Sequence, residues 1–349
     1  MARYNFYGYL ALTLDTTHRG YRRYFENEYA RITSGELGEP GEPPVSIDVQ
    51  IVKELPAVQP GDVARTERYK KLFTYHYLVR GIDTPHVTIY FQRHWVDRVY
   101  MNAIGVFVQA QVLEPIMYQK LLETGILFMH AGGVTEDGKG ILLPAYGGTG
   151  KTTLSMALLN KGDKLLGDDL LIVDIEKQLV YPYPRPLHIF TYNVQNLRGA
   201  KIPFKYKFAV YFKNVIRWFL ERILRTEFLI STRIHADEIF PGDIFGTVAP
   251  VAAIAFLRKE GPGVEVVEVT DANVDAIADG IAESADLNDS LDVLLEGHDE
   301  IVAANKKLEH DVISRLLRAR GLIAYVNTRA LDLDHLEDFV PRVLGTVTK

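Results

Sequence analysis

The sequence predicts an α+β fold: a β-rich N-terminal region over residues 1–112, followed by an α/β domain over residues 113–349. Apolar residues recur at even spacing in the first third, which is typical of half-buried strands. Beyond Gly125, strand-like and helix-like stretches alternate, as they do in α/β domains. One glycine-rich turn joins an apolar strand to a helical pattern, and it is the most informative stretch of the chain.

The N-terminal region is predicted to be mainly strands. Three sets of alternating apolar residues indicate them, over residues 4–14, 47–51 and 87–91. The glycine- and proline-rich residues 34–44 predict a loop. Residues 98–108 suggest two more strands, around Asn102 or Gly105, and residues 114–124 suggest a helix.

The α/β domain is predicted to begin with a buried strand over residues 126–134. A hairpin turn at residues 136–140 leads to a strand from Ile141, the glycine-rich turn, and a helix that ends at Lys161 and Gly162. The later elements are a strand over residues 164–174, a basic helical segment over 198–225, a strand over 251–257, a helical acidic region, a helix over 301–320, a strand over 322–327 and a terminal helix from Leu333.

Composition narrows the class of protein. The chain has 349 residues, 47% hydrophobic and 24% charged, which is typical of globular proteins with two or three domains. Cysteine is absent, which excludes disulfides and thiolate metal ligands and fits a reducing compartment. No apolar run approaches the ~20 residues of a membrane span, and no signal-peptide pattern opens the chain. We therefore expect a cytoplasmic protein, and the net charge of −6 gives no support to nucleic-acid binding.

The glycine-rich turn reads AYGGTGKTT and predicts a phosphate-binding loop. Glycines let successive backbone N–H groups point at phosphate oxygens, and the following helix adds its positive end. Lys151 supplies a charge for the β- and γ-phosphates, and the Thr152 hydroxyl suits Mg²⁺. The alternative is a plain strand–helix turn with a solvated lysine. The predicted nucleotide contacts are Ala145, which stands where the pattern usually has its first glycine, and Tyr146, Gly147, Gly148, Thr149, Gly150, Lys151, Thr152 and Thr153.

The acid pair Asp168–Asp169 lies 17 positions beyond Lys151 in an otherwise apolar stretch. Ionised carboxylates are costly to bury unpaired. A bound Mg²⁺ would remove this difficulty for one acid, and the other could take a proton from an attacking hydroxyl. Successive strand residues point to opposite faces, so the two acids should differ in role unless the strand bends at Gly167. A turn with solvated acids is the alternative.

Two further residues are candidates for this site. The hairpin should return the chain to the phosphate loop close to His130, whose imidazole could bind phosphate or polarise a water. Arg185 lies between prolines that fix an extended path, so it could be held toward a phosphate or a carboxylate. His130 could equally be an ordinary core or edge histidine, and His188 is expected to be a packing or surface residue.

His130, the hairpin, the loop 145–152 with its helix, and Gly167–Asp168–Asp169 resemble the catalytic domain of bacterial HPr serine kinase/phosphorylases. They resemble still more the looser group of kinases related to that family. The resemblance covers residues 95–190, and the intervals from His130 to Ala145 and from Lys151 to Asp168 agree with it. ATP-dependent phosphoenolpyruvate carboxykinase, a distant relative of that family, shares the sequence GTGKTTLS. Its interval between the helix and the acid pair is shorter.

The resemblance implies an ATP- and Mg²⁺-dependent kinase that passes the γ-phosphoryl group to a hydroxyl, chiefly serine, of a peptide, protein or small molecule. It implies that Asp168 is the general base, that Thr152 and Asp169 hold Mg²⁺, and that Lys151 stabilises the transferring group beside His130. It also implies that Arg185 is a binding residue. The Glu-Ile-Arg-Gly-type segment of the family has no counterpart in residues 192–199, which read YNVQNLRG, so a second metal ligand is unassigned.

Two other functions remain open at this point. A non-catalytic ATP sensor would use the same loop to order the basic segment for a partner, without needing Asp168 as a base. A carboxykinase-like enzyme would consume ATP in the presence of oxaloacetate, but it needs a longer chain with additional sites.

Two charged blocks interrupt the chain. Residues 198–225 hold eight Lys or Arg and one acid, with aromatic residues between them, and Val215, Trp218, Phe219 and Ile223 form an apolar stripe. This helix could cover the core with a basic outer face, could dock an acidic partner or the acidic block of a second subunit in a homo-oligomer, or could lie on an anionic membrane. Residues 271–300 hold ten acids and no Lys or Arg, which indicates a solvated face or a surface for a basic partner.

Overall fold

The computed structural model describes residues 1–32, 42–69, 73–95, 97–189, 203–224, 232–333, 335–336 and 338–345. Within these residues the fold is α+β, as predicted, with helices and several sheets. The chain divides into two compact units. The first comprises Met1–Phe128 and Ala285–Ile313, and the second comprises Met129–Ser284 and Ser314–Lys349.

The α-helices are described here in chain order. They are α1 (Arg19–Glu28), α2 (Asp97–Phe107), α3 (Glu114–Glu123), α4 (Lys151–Lys161), α5 (Phe204–Leu224), α6 (Val274–Glu283), α7 (Asp286–Leu294), α8 (Asp299–Arg320) and α9 (Phe339–Val343). A π-helical turn over Val108–Leu113 joins α2 to α3, and a short 3₁₀ helix spans Ala236–Glu238.

The strands follow the same order. They are β1 (Ala2–Phe6), β2 (Leu10–Asp15), β3 (Val45–Val52), β4 (Val63–Tyr69), β5 (Phe73–Arg80), β6 (His86–Gln92), β7 (Ile126–Met129), β8 (Ala131–Glu136), β9 (Lys139–Pro144), β10 (Lys164–Gly167), β11 (Leu171–Asp174), β12 (Leu179–Tyr181), β13 (Leu187–Ile189), β14 (Thr232–Ile234), β15 (Ala249–Arg258), β16 (Val264–Glu268) and β17 (Leu322–Asn327).

The first unit ends beyond the predicted boundary at residue 112, and it also includes Ala285–Ile313. The burial of α3 explains the difference, because every residue from Glu114 to Leu122 is buried. This helix packs against α7, which also belongs to the first unit. A helix buried on all sides must stay with the core that covers it.

The first unit contains a six-stranded sheet in the order β1-β2-β3-β6-β5-β4. β2, β3 and β6 run parallel, and the remaining neighbours are antiparallel. α1 connects the parallel pair β2 and β3, and its Tyr21 and Phe25 rings are almost completely buried. Parallel neighbours need such a crossover, since a short turn cannot reverse the chain twice.

The buried carboxylate of Asp97 joins α2 to the aromatic core of the first unit. It accepts hydrogen bonds from the Tyr21 hydroxyl at 2.8 Å, the Tyr75 hydroxyl at 3.1 Å and the His94 N–H at 2.9 Å.

We expect Asp97→Ala to lower the free energy of unfolding by about 3 kcal/mol or more, because each unsatisfied buried donor costs ~1–3 kcal/mol. Tyr75→Phe, which removes one donor, should cost about 1 kcal/mol. Urea-induced unfolding measures both, and equal stability of Asp97→Ala and the wild type would contradict this account.

The predicted strands over residues 98–108 are wrong, because this segment forms α2. Ile104, Phe107 and Val108 are buried at helical spacing. Gly105 allows α2 to approach α1 closely, since a Cβ at that position would lie 2.5 Å from the Tyr24 ring. A short apolar run fits both the strand and the helix period, and only the packing partner decides between them.

Most other predicted elements are confirmed. The hairpin turn is present, with positive φ at Asp137 and Gly138. The helices predicted over residues 114–124 and 301–320 and the strands predicted over 47–51, 87–91, 251–257 and 322–327 are also present. Three predicted strands are each divided, at residues 7–9, at His130 and at Asp168–Asp169. Helix α1 and strands β4 and β5 were not predicted, and of the predicted terminal helix the described residues contain only α9.

The second unit is built on a mixed sheet in which β10-β8-β9-β15-β12-β11 are successive neighbours. β17 pairs with β15, and β16 pairs with β17. β9 and β15 run parallel, as do β15 and β17. The residues of β9 from Gly140 to Pro144 are fully buried, as expected for a central strand covered on both faces.

α4 is held between two hydrophobic clusters of the second unit. Leu154 and Leu158 pack into one cluster with residues of β9, β15 and β17. Met156 and Leu159 pack into the other, which includes Val210 of α5. Because both sides of the helix are buried, its first turn has a fixed position relative to the sheet.

α5 accounts for most of the predicted basic segment, of which residues 198–202 and 225 lie outside the described residues. The interpretation of this helix as a cover for the core holds only for the side with Val210, which is buried in a hydrophobic cluster, and it is wrong for the predicted apolar stripe. Val215, Trp218 and Phe219, three members of the predicted apolar stripe, are 63%, 60% and 57% exposed. A search of the described residues finds no helix with the length and apolar character needed to cross a membrane.

Candidate active site

The ends of several strands of the second unit meet at one edge of its sheet. β9, β15 and β17 are parallel, and β10 runs in the same direction because both β9 and β10 are antiparallel to β8. The carboxyl ends of these strands therefore share an edge with the start of β8, which follows His130. Ligands of α/β sheets bind outside such carboxyl ends.

The loop between β9 and α4 has the backbone conformation that its glycines predict. Gly148 and Gly150 adopt φ values of 70° and 104°, which favour glycine. Ala145 is buried, bridges to Leu257 of the neighbouring strand, and is not among the described residues with positive φ. Alanine therefore fits the position where the sequence pattern usually has a glycine.

Side-chain hydrogen bonds hold this loop in shape. The Thr149 hydroxyl donates to the carbonyl of Tyr146 at 2.7 Å, and the Thr328 hydroxyl donates to the carbonyl of Thr149 at 2.6 Å. A Cβ at Gly147 would meet no atom within 4 Å, so the loop is open on that side. The Tyr146 ring beside it is 44% exposed and lies edge-on to Phe256.

The N-terminus of α4 is suited to an anion. The helix begins directly after Gly150, has no side-chain cap and carries no acid in its first turn. The first N–H groups of a helix have no partners within the helix, and the macrodipole adds positive potential there. The loop and the helix end together form a surface that is suited to an anion.

Lys151 and His130 lie next to each other at this helix end. The Lys151 Nζ and His130 Nε2 atoms are 2.6 Å apart. An ammonium can only donate, so Nε2 is the acceptor and the ring proton belongs on Nδ1. Nδ1 faces the Asp169 carboxylate, with 3.8 Å between it and Oδ1. The histidine therefore orients the lysine and is itself oriented by an acid.

The acid pair lies where the chain leaves β10. Gly167 permits this turn, because a Cβ there would lie 2.7 Å from the carbonyl oxygen of Leu170. The Thr152 hydroxyl donates to Oδ2 of Asp168 at 2.8 Å. The other oxygen of Asp168, Oδ1, is buried and has no hydrogen-bond partner among the described residues. A buried anionic oxygen without a partner marks a place for a cation or a donor.

Asp169 is surrounded by positive groups. The Arg185 Nη2 atom donates to its Oδ2 at 2.8 Å, and the Lys151 Nζ atom is 3.9 Å from its Oδ1. The Arg185 side chain is only 9% exposed, whereas that of Asp169 is 45% exposed. Arg185 is thus a fixed element that holds an acid facing the solvent side of the site.

The two acids have opposite pKa shifts. Burial raises the pKa of Asp168 to about 6, although the hydrogen bond from Thr152 acts in the other direction. Burial also acts to raise the pKa of Asp169, but the nearby His130 ring and the charges of Lys151 and Arg185 outweigh it and hold this pKa well below its usual range. One acid is therefore a usable proton acceptor near neutral pH, and the other stays ionised.

A divalent cation at this site would need ligands from outside the protein. Within the part of the chain that the structure describes, no three His, Asp or Glu side chains are grouped to hold a metal ion. The available protein donors are the oxygens of Thr152, Asp168 and Asp169. Mg²⁺ is commonly held by one or two carboxylates together with phosphate oxygens and water, so Thr152 with one of the two acids fits this chemistry.

The structure brings the predicted residues His130, Lys151, Thr152, Asp168, Asp169 and Arg185 together at one edge. It differs from the resemblance in one detail, since the carboxylate bonded to Thr152 is that of Asp168 rather than Asp169. His188 is half-buried, and burial together with Arg233 lowers its pKa to about 4. Residues 192–199 lie outside the described residues.

Sequence reasoning missed two residues of the site. The Lys259 Nζ atom lies 3.9 Å from the position that a Cβ on Gly148 would occupy, and Thr328 fixes the loop through Thr149. Both follow strands more than a hundred residues beyond the loop, at the ends of β15 and β17. Only the parallel pairing with β9 could have indicated their position, and no local pattern signals that pairing.

No protein-family model matches the chain, and a search of curated proteins finds no match. The chemistry assigned to the site therefore depends on its geometry and on the motifs of the sequence.

Proposed function

We propose that this protein is an ATP- and Mg²⁺-dependent kinase that transfers the γ-phosphoryl group to a hydroxyl, chiefly serine, of a peptide, protein or small molecule. One observation carries the proposal: an open glycine loop leads into a helix whose first two residues are Lys151, 2.6 Å from His130, and Thr152, whose hydroxyl donates to the half-buried Asp168 at 2.8 Å. Phosphoryl transfer depends mainly on positioning and charge neutralisation, and these groups supply both.

The triphosphate would lie along the backbone of residues 147–152. Gly147 leaves room on the open side, and the uncapped end of α4 attracts negative charge. Lys151 would contact the γ-phosphoryl group, and Lys259 near Gly148 would add a second positive charge. The His130 imidazole already holds the Lys151 Nζ atom at 2.6 Å, which limits the freedom that the lysine loses on binding.

Asp168 would receive the proton of the accepting hydroxyl. As the new O–P bond forms, the acceptor O–H bond breaks toward the carboxylate, and the bond between the γ-phosphorus and the bridging oxygen of ADP breaks. With a pKa of about 6, Asp168 is mostly ionised at pH 7 and yet basic enough to accept the proton. Asp169 is a weaker base because neighbouring cations lower its pKa.

Thr152 and Asp169 are the proposed protein ligands of Mg²⁺. When bound, this ion would neutralise charge on the β- and γ-phosphates. Arg185 would keep Asp169 ionised and oriented through its bond of 2.8 Å. A triphosphate would draw Lys151 away from Asp169, and this would free the Oδ1 atom that now faces the lysine at 3.9 Å.

We expect Asp169→Asn to raise at least about tenfold the Mg²⁺ concentration needed for half-maximal binding of a fluorescent ATP analogue, because a charged metal ligand is lost. Asp168→Asn is the matched control and should leave this concentration within about threefold of the wild-type value. The reverse result, in which only Asp168→Asn raises the Mg²⁺ requirement, would show that Asp168 is the metal ligand in place of Asp169.

An assay that needs no known acceptor tests the proposal as a whole. Calorimetry should detect binding of Mg²⁺–ATP, and slow release of phosphate should follow when water replaces the natural acceptor. Peptides that contain serine, and free hydroxyl compounds, can then be screened for labelled product from γ-labelled ATP. Absence of ATP binding at millimolar concentration would refute the proposal. Tight binding of ATP without phosphate release or phosphorylated product would favour the alternative function, a non-catalytic ATP sensor.

A further inference from the structure

α5 presents an unusual outer face. Phe204, Phe208, Phe212, Val215, Trp218 and Phe219 are between 55% and 82% exposed. At 100° per residue they fall within an arc of about 120°, so they form one continuous stripe along the helix. A continuous exposed apolar stripe of this kind indicates a surface that binds a protein or a membrane, whereas apolar residues scattered singly over a surface do not.

The helix is attached to the second unit by its opposite side. Val210 is buried in a hydrophobic cluster there, and Tyr206 packs against that cluster. The Tyr206 hydroxyl also bonds to Glu238, and the Lys205 ammonium lies 3.8 Å from the same carboxylate. The stripe therefore points away from the unit to which the helix is anchored.

The positive charge of α5 limits which surfaces can cover its apolar stripe. The helix carries Lys205, Lys207, Lys213, Arg217 and Arg222 against a single acid, Glu221. The same stripe on a second copy is unfavourable, since Lys207 and Arg222, the exposed cations on or beside it, would face the same two cations of the other copy. The acidic face of α6 on a second copy would be complementary, but that contact joins two different surfaces and builds open chains of molecules unless the rotation closes.

An anionic lipid surface satisfies both features of the helix. Phe and Trp side chains enter the boundary between headgroups and acyl chains, and flanking Lys and Arg are attracted to anionic headgroups. Lys207 and Arg222 are exposed on or beside the stripe and can reach such headgroups. The helix is about 31 Å long, yet its charges prevent it from spanning the bilayer.

We propose that α5 docks the protein on anionic membranes, with the helix axis parallel to the surface and the aromatic stripe inserted at the headgroup level. This inference does not depend on the kinase proposal, since it uses no residue of the candidate active site.

The two tryptophans of the chain allow a direct test. Trp218 lies in the stripe, and Trp95, which is 75% exposed, lies in the first unit. Trp95→Phe leaves Trp218 as the sole tryptophan, and Trp218→Phe leaves Trp95 as the matched control. With vesicles that contain 30% phosphatidylglycerol in phosphatidylcholine, Trp218 emission should shift to shorter wavelength and be quenched by brominated acyl chains. Trp95 emission should not change.

Vesicle flotation supplies an independent measurement on the full chain. We expect Phe208→Ser combined with Phe219→Ser to weaken binding to the same vesicles at least about tenfold, because two aromatic side chains no longer insert. Arg222→Glu should weaken it about tenfold, and binding to pure phosphatidylcholine should be much weaker than to anionic vesicles. Val58→Ser, at a similarly exposed residue of the first unit, should bind like the wild type.

Two results would overturn the inference. One is Trp218 emission that does not respond to anionic vesicles while the variant protein remains folded. The other is a Trp218 shift that occurs without vesicles and increases with protein concentration, accompanied by a larger mass in sedimentation equilibrium. The second result would show that another copy of the chain covers the stripe.

Discussion

Lys151→Ala is expected to lower the rate of phosphoryl transfer at least about 100-fold, the range found when one preorganised charge or donor is removed from a developing negative charge. The ammonium is held 2.6 Å from His130 at the uncapped end of α4, where the γ-phosphoryl group would lie. Binding of Mg²⁺–ATP should weaken as well, because Lys151 also contacts the ground-state phosphates.

Lys161→Ala provides the matched control for this variant. Lys161 lies at the other end of the same helix and forms an ion pair with Glu136 at 3.2 Å. Its removal should leave the rate of transfer within about twofold, because it is a helix length away from the loop. A Lys151→Ala protein that turns over ATP as fast as the Lys161→Ala protein would exclude the lysine from the mechanism.

Asp168→Asn should bind Mg²⁺–ATP within about threefold of the wild type and lose transfer by a factor of roughly 10²–10⁴, the contribution usual for a positioned general base. Its amide keeps an oxygen that can accept the Thr152 hydrogen bond, so the loop geometry should survive. Nucleotide calorimetry and single-turnover transfer to an identified acceptor measure the two quantities separately.

The pH dependence gives a second signature of this residue. Because the pKa of Asp168 is raised to about 6, kcat/KM of the wild type should rise with pH through about 6 and then level off. Asp163→Asn is the control, since burial also raises the pKa of Asp163 to about 6, but this residue lies beyond the far end of α4. The Asp163→Asn protein should keep both the rate and the pH profile.

Stability distinguishes a chemical effect from a structural one. A carboxyl whose folded-state pKa is raised binds its proton more tightly in the folded state, so its ionisation lowers stability as the pH rises from about 4 through about 6. Asp168→Asn removes this unfavourable ionisation. At pH 8 the variant should therefore unfold at the same temperature as the wild type or a higher one, while its transfer activity is lost.

The local parts of the site were predictable from the sequence because adjacent residues build them. The strand, the glycine loop and α4 are consecutive, and the hairpin returns His130 to the loop. Arg185 follows the acid strand by 16 residues and contacts Asp169 as the extended proline segment suggested. Residues so close in the chain have few alternative arrangements.

The remaining features depend on contacts between distant segments. Lys259 and Thr328 reach the loop only because β15 and β17 lie beside β9. The bond between Thr152 and Asp168 depends on the turn after Gly167, which no spacing rule resolves. For α5, an apolar stripe predicts which residues share a face, but it does not predict whether that face is turned toward the core or toward the solvent.

A crystal structure with a non-hydrolysable ATP analogue and Mg²⁺ would show whether the glycine loop binds a triphosphate. We expect a triphosphate along the amides of residues 147–152, the γ-phosphate in contact with the Lys151 ammonium, and Asp168 facing the side opposite the leaving oxygen. Crystals that hold excess nucleotide but leave this loop empty, or that bind the triphosphate elsewhere, would contradict it.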